Sequence, residues 1–269
     1  MIAMLVATAL AMSACTPLEN TDTLWASPET RWVFFGEMHG TNEMPDAFAN
    51  LVCLAAVKRG PITVVIEWPV ETQPILNAWL DSDGGERAKA ALLSAPEWHF
   101  KDQAGFTSVA FLRMLERLRV LHKEHKVAAL RAFDKAADGS DARDRNVVMA
   151  ERLMAISRET DGLTLILVGN VHASRIPLQL GPDEVRPAAY LLPEAKRITV
   201  GFTSPGGTAW MCRRDGCKIY DDGSGPSHPP SLTWHREADR RFDVTYDLGV
   251  PVTAAVPAVS GSQRGSSNP

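Results

Sequence analysis

What this sequence lacks narrows what it does. Its 269 residues hold 28 Lys and Arg against 32 Asp and Glu, with no strongly basic block. That speaks against nucleic acid as a partner, because neutralising phosphates needs clustered cations. Beyond the first residues, no apolar run approaches the ~20 residues that span a bilayer. There is no Gly-x-Ser-x-Gly elbow, which disfavours a serine hydrolase of the α/β-hydrolase type. A GxGxxG fingerprint and a P-loop are also missing. No Cys-x-x-Cys-His motif is present to attach haem covalently. The chain shows no internal repeat.

Cysteine is scarce, at four residues, and each is informative. Met1 to Ala14 are mostly apolar or small, carry no charged side chain, and run into Met12-Ser13-Ala14-Cys15. This pattern is that of a short export signal ending in a lipobox, over residues 1–15. It implies a cell-envelope protein, periplasmic or held to a membrane only by a lipid on Cys15. Cys212 and Cys217 flank a tight hairpin with Asp215-Gly216 at its turn. They form either a disulfide, in an oxidising compartment, or a pair of reduced thiols. A zinc site there is disfavoured, since no second Cys or His pair stands at ligand spacing. Cys53 lies in an apolar helical stretch and reads as a core residue.

Residues 16–30 are polar and read as a tether, residues 31–250 as one α/β domain, and residues 251–269 as a disordered tail rich in Pro, Ser and Gly. Within the domain, apolar runs alternate with helical periodicity. Strands are expected at Trp32 to Phe35, Ile62 to Ile66, Val127 to Phe133 and Leu163 to Val168. Helices are expected at Glu43 to Lys58, Pro74 to Leu80 and Arg87 to Leu93, then a longer one marked by Phe111, Met114, Leu115 and Leu118 and ending near His125, and at Arg145 to Arg158. This alternation predicts a mostly parallel sheet flanked by helices. In the C-terminal third, Ile198 to Thr203, Thr208 to Cys212, Cys217 to Tyr220 and Phe242 to Tyr246 read as antiparallel strands added to that sheet, or as a small β-subdomain.

Each expected parallel strand ends in polar residues: Glu37 and His39, then Glu67, then Asp134, then Asn170 and His172. Ligand sites in open parallel sheets lie just beyond the carboxyl ends of the strands. Four distant stretches would thus deliver these groups to one edge. A His beside a carboxylate is oriented and made more basic, which suits activation of water. The same groups, Glu37, His39 and His172 among them, also suit a divalent metal such as Mn or Zn. Arg145 opens a helix, where the macrodipole disfavours a cation; it either serves the site or pairs with Asp141 or Asp144. Asp134 either joins the site or caps the next turn.

Four segments, Gly36-Glu37-Met38-His39-Gly40-Thr41, Val65-Ile66-Glu67, Arg145-Asn146-Val147-Val148-Met149-Ala150 and Val168-Gly169-Asn170-Val171-His172-Ala173, occur in that order. In this the chain resembles the erythromycin esterase-like, ChaN-like and TraB/Tiki superfamily, over roughly residues 32 to 175. The resemblance implies that Glu37, His39, Glu67, Arg145 and His172 match family site positions. It also implies one of three activities: lactone hydrolysis with a His general base, metal-dependent peptide hydrolysis, or non-covalent haem binding. Asn146 departs from the pattern, since some members have Asp there. The leading expectation is an exported hydrolase of ester or amide bonds acting on a small molecule or peptide. The alternative is a haem-binding lipoprotein without catalysis.

Overall fold

The computed structural model describes residues 15–100, 105–160, 162–213 and 216–259. The expected export segment, residues 1–14, lies outside them. The chain opens with a short 3₁₀ turn, Thr21–Trp25. Then come β1 (Trp32–Glu37), α1 (Glu43–Arg59), β2 (Ile62–Pro69), α2 (Gln73–Asp81), α3 (Glu86–Leu93), α4 (Val109–Lys123), β3 (Val127–Asp134), α5 (Arg145–Glu159) and β4 (Thr164–Gly169). The C-terminal third supplies β5 (Leu178–Leu180), β6 (Asp183–Val185), β7 (Arg197–Thr203), β8 (Gly206–Arg213), β9 (Gly216–Ser224), β10 (Ser231–Trp234) and β11 (Val244–Asp247).

Seven strands form one sheet in the order β10-β11-β7-β1-β4-β2-β3. All its pairings are parallel except β10 with β11. The mostly parallel sheet expected from the alternation is therefore present. Two expectations for the C-terminal third need correcting. β7 and β11 join the sheet parallel to β1 and β7, not antiparallel. β8 and β9 leave the sheet altogether and form a separate antiparallel hairpin.

The sheet is buried on both faces, and the period-2 rule sorts its side chains into two cores. Val33, Phe35, Val64, Ile66, Leu165 and Leu167 pack with residues of α1, α2 and α4 on one face. Trp32, Phe34, Val65, Ile166 and Val168 pack with Met149, Leu153 and Ile156 of α5 on the other. This layering fixes the strand ends, and so the groups that project from them.

Both ends of the described chain are built into this body. Leu24 and Trp25 are fully buried members of the first core, so residues 16–30 are not a loose tether. Cys15 Sγ is bonded to Cys53 Sγ, 38 residues away, and is not the free sulfur that lipidation requires. Cys53 is a core residue as expected, but a disulfide-bonded one. The expected disordered tail is ordered through residue 259. Thr253 N donates to Glu43 Oε2 of α1 at 2.8 Å; Ala255 N donates to Gly40 O at 2.8 Å and Val109 N to Val256 O at 2.9 Å.

That C-terminal strap and the β8–β9 hairpin together clamp the loop after β1. Gly40 O accepts from both Trp210 N and Ala255 N. Gly40 has φ +84°, and a Cβ there would stand 1.9 Å from Trp210 O; a Cβ on Gly105 would stand 1.8 Å from Gly40 N. Gly60, with φ +80°, has nothing within 4 Å of such a Cβ. Gly60→Ala is expected to cost about 1–3 kcal/mol through backbone strain alone. Gly40→Ala adds a backbone clash and is expected to cost clearly more. Equal urea midpoint shifts for the two variants would show that the clamp is soft.

Candidate active site

The site grows from the carboxyl ends of β1, β2, β3 and β4. β1 ends on Glu37, level with Gly169 of β4. Two residues on, His39 turns back so that its Nδ1 lies 3.0 Å from Glu37 Oε1. Phe106 packs edge-on against the imidazole at 5.6 Å between ring centroids. Glu37 is buried, and its Oε2 has no hydrogen-bond donor among the described residues.

Glu67 forms the floor. It is buried, as its place directly after a β-branched run predicts. Its Oε2 accepts from Gly169 N at 2.6 Å, and its Oε1 accepts from Arg145 Nη2 at 2.6 Å. Burial alone would raise its pKa. The hydrogen bond from His39 and the positive charges of its neighbours outweigh that and hold the carboxyl well below the usual range. The contact from His39 Nε2 to Glu67 Oε2 is longer, 3.6 Å.

Arg145 is the central cation. It stands first in α5, where Asp144 caps the helix by accepting from Asn146 N and Val147 N. Its guanidinium is held by both oxygens of Asp134 and by Glu67. This explains a cation at a helix start: two carboxylates outweigh an unfavourable dipole. Asp141 pairs with Arg143 instead. Asp134 does both jobs weighed for it, since it also accepts from Lys135 N.

His172 completes the cluster in a supporting position. Its Nδ1 donates to Asn146 Oδ1 at 2.6 Å, and Arg145 Nη1 donates to its Nε2 at 3.1 Å. Burial lowers its pKa, so the ring is neutral and both its nitrogens are engaged. Asn146 Oδ1 also accepts from Ala188 N. An Asp there would serve the same donors but would bury another charge. His39 behaves in the opposite way. Burial disfavours its charge, but hydrogen bonds to Glu37 and Glu67 outweigh that and push its pKa up to about 10.

These residues line a cleft of about 450 Å³ together with Met38, Phe106, Trp210 and Met211. All five predicted site residues, Glu37, His39, Glu67, Arg145 and His172, thus meet in one place. The apolar wall was not foreseen. Phe106 and the β8 residues reach the cleft by tertiary packing and carry no local motif. Trp98 lies outside the cleft, buried against Trp68.

Glu37, His39 and His172 do not fit a divalent metal in this arrangement. Among the described residues, no three His, Cys, Asp or Glu side chains converge as a ligand set. The place between Glu67, Asp134 and His172 is taken by the Arg145 guanidinium, which would repel a second cation. His-ligated haem fits no better. The two histidines of the cleft are His172, engaged at both nitrogens, and His39, held protonated at neutral pH.

No protein-family model matches the chain, and no curated protein matches it. Solved structures do. A succinoglycan biosynthesis protein matches with TM-score 0.66 at 11% identity, over 89% of this chain and 93% of that one. A mutant erythromycin esterase in its open conformation matches with TM-score 0.64 at 12% identity, over 88% and 93%. A protein from Bacillus cereus matches with TM-score 0.56 at 11% identity, over 86% and 91%. Over nearly its whole length the chain therefore shares the fold of these solved structures, an erythromycin esterase among them.

Proposed function

We propose that the chain is a hydrolase of carboxylic esters, or of the corresponding amides, that uses His39 as general base without a metal. The observation that carries this is the opposition of two charged devices in one cleft, the Glu37–His39 pair and the half-exposed Arg145 guanidinium. The likeness in fold to an erythromycin esterase agrees with it.

Neutral His39, oriented through Nδ1 by Glu37, takes a proton from water at Nε2. The water oxygen forms a bond to the carbonyl carbon, and the carbonyl electron pair moves onto oxygen. Arg145 stabilises that oxyanion, pre-positioned by Glu67 and Asp134 so that little reorganisation is needed. Collapse breaks the bond to the leaving group, which receives the proton from the His39 imidazolium. His172 acts through Arg145 and fixes where the guanidinium points. Two disulfides favour an oxidising compartment, and we place the protein in the cell envelope on that ground.

The test is turnover of a panel of small esters and amides by the purified protein, with a chelator present. Arg145→Lys keeps the charge but loses the planar fork that matches two carboxylates at once. It is expected to lower kcat by about tenfold or more. Hydrolysis of no panel member, or hydrolysis lost to the chelator, overturns the reading.

A further inference from the structure

The cleft over Arg145 does not stand alone. A second cavity of about 370 Å³ adjoins it and shares part of its lining. Glu67, Phe106 and Arg145 line both, so the two meet at the reacting groups. Beyond the reacting groups their walls differ in charge, which only the second carries. The first is bounded by Met38, Asn170, Trp210 and Met211, and the second by Pro69, Phe100, Ala136 and Ala137 with the charged Asp134 and Lys135.

We propose that the two cavities are the two arms of one substrate cleft. The substrate is then a small amphipathic ester whose apolar group lies against Trp210 and Met211. Its hydrogen-bonding group lies beside Lys135. This rests on the hydrolase reading and specifies its substrate class.

The apolar arm is preformed. Trp210 N donates to Gly40 O at 2.9 Å, which ties the wall to the loop carrying His39. Cys212 and Cys217 lie opposite each other in the hairpin, and their sulfurs are bonded. Beyond them the Arg213 guanidinium stacks 3.9 Å from the centroid of the Tyr220 ring. A wall pinned at its base and closed near its tip presents a fixed surface, so ordering it costs little when an apolar group docks.

The second arm is also largely apolar, and its point for a polar contact is Lys135. Lys135 Nζ donates to Arg143 O at 2.7 Å. An ammonium carries three donors, which leaves capacity for a ligand oxygen. The small side chains of Ala136 and Ala137 leave room beside it. Each arm falls within the size range of pockets for small, drug-sized ligands rather than polymers. Scission at the waist, under His39 and Arg145, separates the two halves.

The experiment uses esters of one hydroxylated alcohol with a lengthening straight acyl chain, and the matching ketones in which a methylene replaces the ester oxygen. For the intact protein, kcat/KM and ketone affinity are expected to rise by about fourfold per methylene until the arm is full. Trp210→Ala should flatten both series, and Trp210→Leu should restore part of the slope. Lys135→Ala should raise KM for the hydroxylated esters more than for plain alkyl ones. If esters turn over but neither series depends on chain length, or Trp210→Ala leaves the slope unchanged, the two-armed cleft is overturned and the hydrolase stands. If ketones bind with a slope that Trp210→Ala removes while no ester turns over, the cleft stands and the hydrolase falls.

Discussion

Replacing His39 with Gln is expected to lower kcat for ester hydrolysis by about 10²–10⁴-fold, the usual contribution of a positioned general base. Gln keeps a hydrogen-bonding group beside Glu37, so the loss reports on proton transfer and not on collapse of the loop. The pH dependence makes the test sharper. Although burial disfavours its charge, the hydrogen bonds to Glu37 and Glu67 keep His39 protonated up to about pH 10. Only the neutral ring accepts a proton from water. In the intact enzyme kcat/KM should therefore climb about tenfold per pH unit through the neutral and alkaline range, then level off near ten.

The same titration acts on stability with the opposite sign. The folded pKa of His39 lies above the ordinary value of 6.5. Its imidazolium therefore stabilises the fold fully below about pH 6.5, and that contribution is lost as pH rises from there to about 10. Activity should rise through the window in which stability falls. In His39→Gln both trends should vanish together. Rate profiles and thermal melts across this range provide the check. A flat kcat/KM profile in the intact protein removes His39 from the role of base.

The site was legible because its residues sit where local sequence signals are strongest. Glu67 follows directly on a β-branched run, Glu37 and His172 stand within four residues of the end of an apolar one, and an open parallel sheet sends all such ends to one edge. Arg145 was legible for a different reason: it broke the dipole rule, and the structure supplies the carboxylates that compensate it. Phe106, Trp210 and Met211 belong to segments far from His39 in sequence that meet it only through tertiary packing. Apolar residues in a short strand look alike whether they face a core or a cleft.

The strand directions in the C-terminal third failed for a related reason. Period-2 patterning shows that β7 and β11 are strands but not which neighbour they pair with. The two ends of the chain were misread through composition. Residues 16–30 are polar on average, yet two residues, Leu24 and Trp25, suffice to anchor the stretch. Val252 and Ala255 are buried along the clamp, and the polar composition of the ten residues beyond Val259 masked this.

Replacing Cys15 with Ser is expected to lower stability by about 4 kcal/mol, because the Cys15–Cys53 bond closes a loop of 38 residues. For a domain of this size that corresponds to a fall in Tm of roughly 8–16 °C. Opening Cys212–Cys217, five residues apart, should cost only about 2 kcal/mol by the same chain-entropy argument. The larger effect has a structural consequence as well. The first bond pins the segment that delivers Leu24 and Trp25 to the core, against helix α1. Thermal melts of Cys15→Ser and Cys212→Ser, with and without reductant, separate the two contributions. Peptide mapping without reduction decides the chemistry of Cys15 itself. A sulfur bonded to Cys53 carries no thioether, so recovery of the Cys15–Cys53 cross-link excludes a lipid at that position. Recovery of Cys53 as a free thiol, with melts indifferent to Cys15→Ser, would instead return Cys15 to the role its lipobox-like setting suggests.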